Sequence, residues 1–406
     1  MISLKNVRLW HQLCATLLIT FFVSGCINII RDDHPQYTYL VSSSKVADIP
    51  VQSLSAIVSQ TNPTYAALLK YSVGAYKLVY KTKNWDGTTV QASGLVLIPD
   101  SPTAVPMISQ QHGTIFDDAD APSNFGPNSE AYQYSTIFSS NGYIIACPDY
   151  IGFGVSKNLI HTYEHKNSLA QTSLDMLRAA RELLQVNAPN KWDSRLYLAG
   201  YSEGGYATMS LYKKMQEEVP TEFNLKAVSA GAGAYDKTNF TKAVIAAPVL
   251  PTTVEWNRAF LWVLLTYNDI YPTLRRPLSY YFKPEYLTDV QTNRQLASIS
   301  GPLSNALTDQ FKIGVLTGAD AAFTAALADN DNYDWKPRIP LLLTHGDQDP
   351  QVYVLNTYSA LQAMIVKNGA NLNAPIVIPN IKPGLTHVQT IPSWLNDTFA
   401  LFTTVK

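Results

Sequence analysis

The chain has 406 residues, 46% of them hydrophobic and 15% charged, with a formal net charge of -1. That composition can bury a large core and excludes a disordered chain. With no long basic or acidic run, it offers no electrostatic surface for nucleic acid. One large domain with an insertion, or two domains, fit the length.

The amino terminus reads as a targeting segment. Lys5 and Arg8 precede an apolar run, Leu13 to Val23, that has the proportions of a signal peptide and is short for a membrane-spanning helix. It closes on Val23-Ser24-Gly25-Cys26, which resembles a bacterial lipobox and implies that Cys26 carries lipid as the first mature residue. A plain signal peptide or an uncleaved anchor are the competing readings. The expected location is the bacterial cell envelope, lipid-anchored at the outer membrane or facing the periplasm, or else secreted. Cys147 is then the one thiol left besides Cys26, so no disulfide framework is expected; its apolar run Tyr143-Ile144-Ile145-Ala146-Cys147 predicts a buried structural thiol.

From residue 27 to about Pro50 the chain is polar and mixed, as a tether would be. Residues 62–72 hint at a short helix. Ala75–Lys83 and Thr89–Ile98 alternate apolar with polar residues around Asn84-Trp85-Asp86-Gly87, which predicts a hairpin. Pro106–Gln111 reads as a buried strand running into His112-Gly113-Thr114, a loop whose glycine allows close backbone approach. Gly142–Pro148 predicts another strand, and the turn after it carries Gly152 and Gly154 without the Lys-Ser or Lys-Thr pair of a phosphate cradle. Ser168–Val186 has helical spacing, with Asp175 and Arg178 one turn apart as an ion pair.

Leu196–Gly205 is the most informative stretch. An apolar strand ends in Gly200-Tyr201-Ser202-Glu203-Gly204 and an amphipathic helix follows, the order in which a sharp turn lifts a serine hydroxyl above a sheet. By chance alone Gly-x-Ser-x-Gly is a common loop sequence, so the acid and base downstream decide its weight. Asn224–Ala234 predicts a further strand with small residues above that turn. From about Asp236 to Lys336 the strand–helix alternation stops. Val254–Tyr267 is a strong helical pattern, Gln291–Ile299 and Ala319–Ala328 are helix-like, and Phe260, Trp262 and Tyr280-Tyr281-Phe282 supply aromatics that fill a cap or line an acyl pocket.

Ile339–Thr344 resumes the sheet and enters His345-Gly346-Asp347-Gln348-Asp349. A carboxylate just past a buried strand can be held against an imidazole; Asp349 fits best, with Asp347 the second candidate. Tyr358–Asn368 predicts a helix, Ala374–Pro379 the last strand, and Gly384-Leu385-Thr386-His387 the loop that brings in a base. Of the seven histidines, His387 alone completes a Ser–Asp–His order along the chain. His161 and His165, without acid or cysteine partners at metal spacing, are expected to face solvent or cap a helix.

Ser202, Asp349 and His387 with these surroundings resemble the α/β-hydrolase superfamily over about residues 60–400. The His-Gly-Thr loop, the Gly-Tyr-Ser-x-Gly-Gly turn, the late helical insertion and the His-Gly-x-x-Asp turn look like the secretory lipases of the lipase-A type and their bacterial lipoprotein relatives. The resemblance implies an α/β fold with a mostly parallel sheet, helices on both faces and a helical cap. The expected organisation is a signal over 1–26, a tether over 27–50, a core over 51–236 and 337–406, and a cap over 237–336. It also implies ester hydrolysis by Ser202, His387 and Asp349, with oxyanion donors from the Glu203 and Thr114 backbones. The substrate is then a small-molecule or lipid ester, with no metal or organic cofactor required. Lipase-A enzymes use an aspartate in the oxyanion region; Asp117, Asp118 or neither corresponds to it here. A serine peptidase of the same fold and a lipid-tethered binding protein with a disused triad are the alternatives.

Overall fold

A computed structural model describes residues 37–61, 66, 69–246, 254–369 and 376–405. The targeting segment, Cys26 and part of the expected helix over 62–72 lie outside these residues. Among the described residues nine strands form one sheet in the order β1-β2-β3-β5-β4-β6-β7-β8-β9. They are β1 (Leu40–Ile49), β2 (Val73–Lys83), β3 (Thr89–Pro99), β4 (Val105–Gln111), β5 (Ile144–Pro148), β6 (Trp192–Tyr201), β7 (Asn224–Gly231), β8 (Leu341–Gly346) and β9 (Val377–Lys382). The expected hairpin pairs β2 with β3, and β1 and β5 add antiparallel neighbours on either side. From β5 through β9 every pairing is parallel.

The parallel strands are buried on both faces, which is why their sequences read as continuous apolar runs. Period two survives inside the run. In β6, Leu196 and Leu198 pack on one face with α2 (Lys166–Asn187), α3 (Glu203–Glu218) and later α9 (Leu355–Asn368). Tyr197, Ala199 and Tyr201 face the other way, toward Leu54 of α1 (Val51–Thr61) and Trp394 and Phe402 of α10 (His387–Thr404). This is the α/β-hydrolase architecture. The expected Asp175–Arg178 pair lies between layers, with Arg178 also bridging to Glu222.

One expectation is corrected at the amino-terminal side. Within the stretch read as tether, Leu40–Ile49 is strand β1 at the sheet edge. Only its end residues, Leu40 and Ile49, are buried, so no alternation marks it as a strand. Pairing with β2 and a carboxylate clamp hold it: Glu182 of α2 accepts the backbone N–H groups of Thr38, Tyr39 and Leu40 at 2.9, 3.0 and 2.7 Å.

Between β7 and β8 lie α4 (Lys237–Ala246), α5 (Val254–Ile270), α6 (Pro284–Asn293), α7 (Asp309–Thr317) and α8 (Ala321–Asp329). They bury their own cluster, with Leu261, Tyr267, Tyr281, Phe282, Phe311 and Phe323 among its members. The helix expected over 291–299 starts instead at Pro284, whose fixed φ suits a first helical position, and stops where Arg294 turns to φ 51°. Helix α7 is not among the expected elements, although its capping signals are present. Thr308 caps Phe311 N–H, and Gly318 ends the helix at φ 76°.

Candidate active site

Strand β6 ends at Tyr201 and α3 begins at Glu203, leaving Ser202 alone at the corner with φ 60° and ψ -125°. A non-glycine residue there is strained, and the surroundings over-determine it. Ser202 N–H donates to Gly231 O at 2.9 Å. Small residues are obligatory beside it because the chain crosses itself. A Cβ on Gly200 would stand 2.2 Å from Gly204 O, and one on Gly204 only 2.1 Å from Gln111 O.

The loops after β8 and β9 bring Asp349 and His387 to the same end of the sheet. His387 Nδ1 lies 2.6 Å from Asp349 Oδ2. The carboxylate is ionised and accepts, so Nδ1 carries the proton and Nε2 is left with its lone pair. His387 opens α10 behind a capping box made by Thr386 and Gln389. Its carbonyl accepts from Tyr201 OH at 2.7 Å, and the two rings are 5.1 Å apart, which ties the histidine to the residue before Ser202. Among the described residues no hydrogen bond joins the Ser202 hydroxyl to the His387 ring; such contacts commonly tighten only when substrate is bound.

Asp349 is fully engaged. Its Oδ1 accepts Gln351 and Val352 N–H, both at 2.9 Å, while Oδ2 also meets His345 Nε2 at 3.1 Å. Burial opposes ionisation here, but hydrogen bonds from His345 and His387 outweigh it and hold the carboxyl well below the usual range. His345 is buried, its Nδ1 2.7 Å from Thr357 Oγ1, and so orients the acid from behind. The second candidate acid, Asp347, instead accepts Gly384 N–H at 2.7 Å in a turn.

The His112-Gly113-Thr114 loop lies against the serine: a Cβ on Gly113 would be 3.7 Å from Ser202 Cβ. His112 is buried with its ring nitrogens against Gly113 O and Asp149 O. Gly113 N–H donates to Glu130 Oε1 at 3.0 Å, and the Thr114 hydroxyl meets Tyr163 OH at 2.7 Å. Of the two aspartates considered for this region, Asp117 caps a turn at Ala119 and Asp118 accepts Gly154 N–H. The carboxylate against the loop is Glu130, whose carboxyl burial pushes up. Nothing near Glu130 in sequence announces it.

Of the expectation that His161 and His165 face solvent or cap a helix, exposure is corrected, since both are buried, while His165 does stand at the N-cap of α2, without a side-chain capping bond. His161 Nε2 lies 2.9 Å from Glu203 Oε1 and its Nδ1 2.8 Å from Ile151 O. Glu203, whose carboxylate had no role legible in sequence, therefore anchors the first turn of α3 to the glycine-rich loop. His165 meets Ser168 Oγ at 2.7 Å, and burial lowers it to about 4.

The secretory lipase family model matches residues 130–400. The chain belongs to the secretory lipase family. Among solved structures it is similar to a candidate hydrolase from Legionella pneumophila, with 26% identity over 90% of this chain and 98% of that one and a TM-score of 0.79. The rice cell wall degrading esterase LipA from Xanthomonas oryzae shares 20% identity over 90% and 96% of the two chains, TM-score 0.73. Candida antarctica lipase A in its closed state shares 16% over 88% and 82%, TM-score 0.60. No curated protein matches in sequence. Family membership makes this chain an ester-cleaving hydrolase.

In this secretory lipase a cavity of about 700 Å³, open mouth included, begins at Ser202 and runs between the sheet end and the helical insertion. Phe240, Val244, Phe260, Leu307, Phe311 and Phe323 give it an apolar lining. Phe260 thus meets the cavity as the sequence allowed, whereas Tyr281 and Phe282 fill the insertion's own core. Cys147 takes no part: it is buried beside Gln110 and Ser135, and burial pushes its thiol up to about 12.

Proposed function

We propose that this secretory lipase hydrolyses carboxylic esters through an acyl-enzyme, with Ser202 as nucleophile, His387 as base and Asp349 as the acid that orients it. The observation that carries the reading is the 2.6 Å contact between His387 Nδ1 and Asp349 Oδ2 beside a strained serine that opens onto an apolar cavity. His387 Nε2 takes the serine proton as Ser202 attacks the carbonyl, then returns it to the departing alcohol. Water, activated by the same nitrogen, releases the acid. Asp349 keeps the proton on Nδ1 and stabilises the imidazolium.

The N–H of Glu203, in the first turn of α3 where helix donors have no internal acceptor, and the N–H of Thr114 would hold the oxyanion. Residues 237–336 act as the cap over the acyl cavity. Cys26 anchors the chain to the cell envelope, in keeping with a secretory family. Protein lacking residues 1–26 is expected to hydrolyse p-nitrophenyl esters, with Ser202→Ala inactive but folded. Folded wild-type protein that leaves short and long acyl esters intact while cleaving aminoacyl-nitroanilides would make it a peptidase instead.

A further inference from the structure

The acyl cavity is mostly apolar, with Tyr163, Thr241 and Gln351 among its few polar neighbours, and it holds one pair of opposite charges. Glu164, in the segment before α2, and Lys237, at the start of α4, meet as an ion pair whose side chains are 7% and 2% exposed, and both line the cavity that begins at Ser202. The ammonium also stands over the Tyr206 ring, 4.3 Å from its centre. Glu164 adopts φ 49°, and its backbone carbonyl is fixed by Tyr267 OH at 3.1 Å. Burial raises the Glu164 carboxyl and lowers the Lys237 ammonium, so each charge is poorly solvated where it stands.

Stability does not explain such a pair. A buried ion pair replaced by well-packed apolar residues is commonly neutral or stabilising, and apolar packing is what most of this cavity offers. The pair is also incompletely satisfied. Among the described residues, Lys237 Nζ has one acceptor, Glu164 Oε2, and Glu164 Oε1 receives no donor. An unsubstituted hydrocarbon chain laid against these groups would displace water from them and return nothing. A hydroxyl would satisfy both, accepting from Nζ and donating to Oε1.

We propose that the Glu164–Lys237 pair is a specificity site that reads a hydroxyl group on the acyl part of the ester. The acyl arm is the one assigned because the alcohol must leave, whereas a group lodged in the cavity stays attached to Ser202 until water releases it. The inference rests on Ser202 being the nucleophile of an ester hydrolase.

The test uses methyl hexanoate and its derivatives hydroxylated at successive carbons, with acid release followed by titration. Wild-type protein should favour at least one hydroxylated ester over the unsubstituted one by about ten- to a hundredfold in kcat/KM, the range for hydrogen bonds to charged groups. Lys237→Met and Glu164→Gln should collapse that ratio toward one, whatever happens to the absolute rates. Removing one partner strands the other charge, so the paired Glu164→Leu/Lys237→Leu variant keeps the test available if the single variants do not fold. A bracing role would slow all esters alike and leave the ratio in place. No preference in the wild type at any hydroxyl position, or an undiminished ratio in a folded variant, overturns the proposal. Failure to hydrolyse any ester, p-nitrophenyl butanoate included, would instead remove the hydrolase reading beneath it.

Discussion

At the residue scale, Asp349 shows how environment assigns a role. Its two histidine contacts and two backbone donors leave no lone pair idle, which makes the carboxylate a fixed reference for the imidazole. Asp349→Asn keeps the shape but presents an amide to His387 Nδ1, favouring the wrong tautomer; kcat is expected to fall by about ten-thousandfold with little change in KM. The same contacts carry a pH dependence. Because the folded carboxyl is held below the ordinary value of about 3.9, its stabilising contribution is complete above that pH and is lost as pH falls through the lowered folded value. Urea unfolding of wild type and Asp349→Asn should therefore differ at neutral pH and converge under strongly acidic conditions. A gap that widens on acidification would contradict this assignment.

At the element scale, the turn from β6 into α3 is decided by absent side chains. Gly204→Ala would set a methyl against Gln111 O at 2.1 Å, backbone on both sides, so β4 and α3 must separate. A marked fall in Tm together with loss of ester turnover is the expected result, measured by calorimetry and initial rates; an unchanged Tm would mean the crossing is looser than described. Edge strand β1 depends on contacts that no local pattern encodes. Glu182→Ala should cost about 1–3 kcal/mol in unfolding free energy, the range for charge-assisted bonds. The Ser-Asp-His order, the hairpin and the parallel strands were legible because turn chemistry and apolar runs are local. Strand β1, Glu130 and the His161–Glu203 contact were not, since each is defined by a partner far away in sequence: Glu182, Gly113 and Glu203.

At the scale of the whole molecule, the proposed reading places the reacting groups at the end of the sheet and has the helical insertion line much of the cavity. The two are separable by experiment. Leu307 lies among the insertion residues of the cavity wall, alongside Phe311 and Phe323, so Leu307→Trp should lower kcat/KM for long acyl esters by at least about tenfold while short ones are spared, consistent with the modest energy of each methylene in an apolar pocket. Equal loss at every chain length would show that the cavity does not hold the acyl arm. The claim on which all of this depends is that Ser202 is the nucleophile. Treatment with diethyl p-nitrophenyl phosphate, followed by mass spectrometry of the peptides, should find one diethyl phosphoryl group per chain on Ser202, formed in step with loss of activity and absent from Ser202→Ala. A modification on another residue that tracks inactivation, or full ester turnover by Ser202→Ala, would contradict the account.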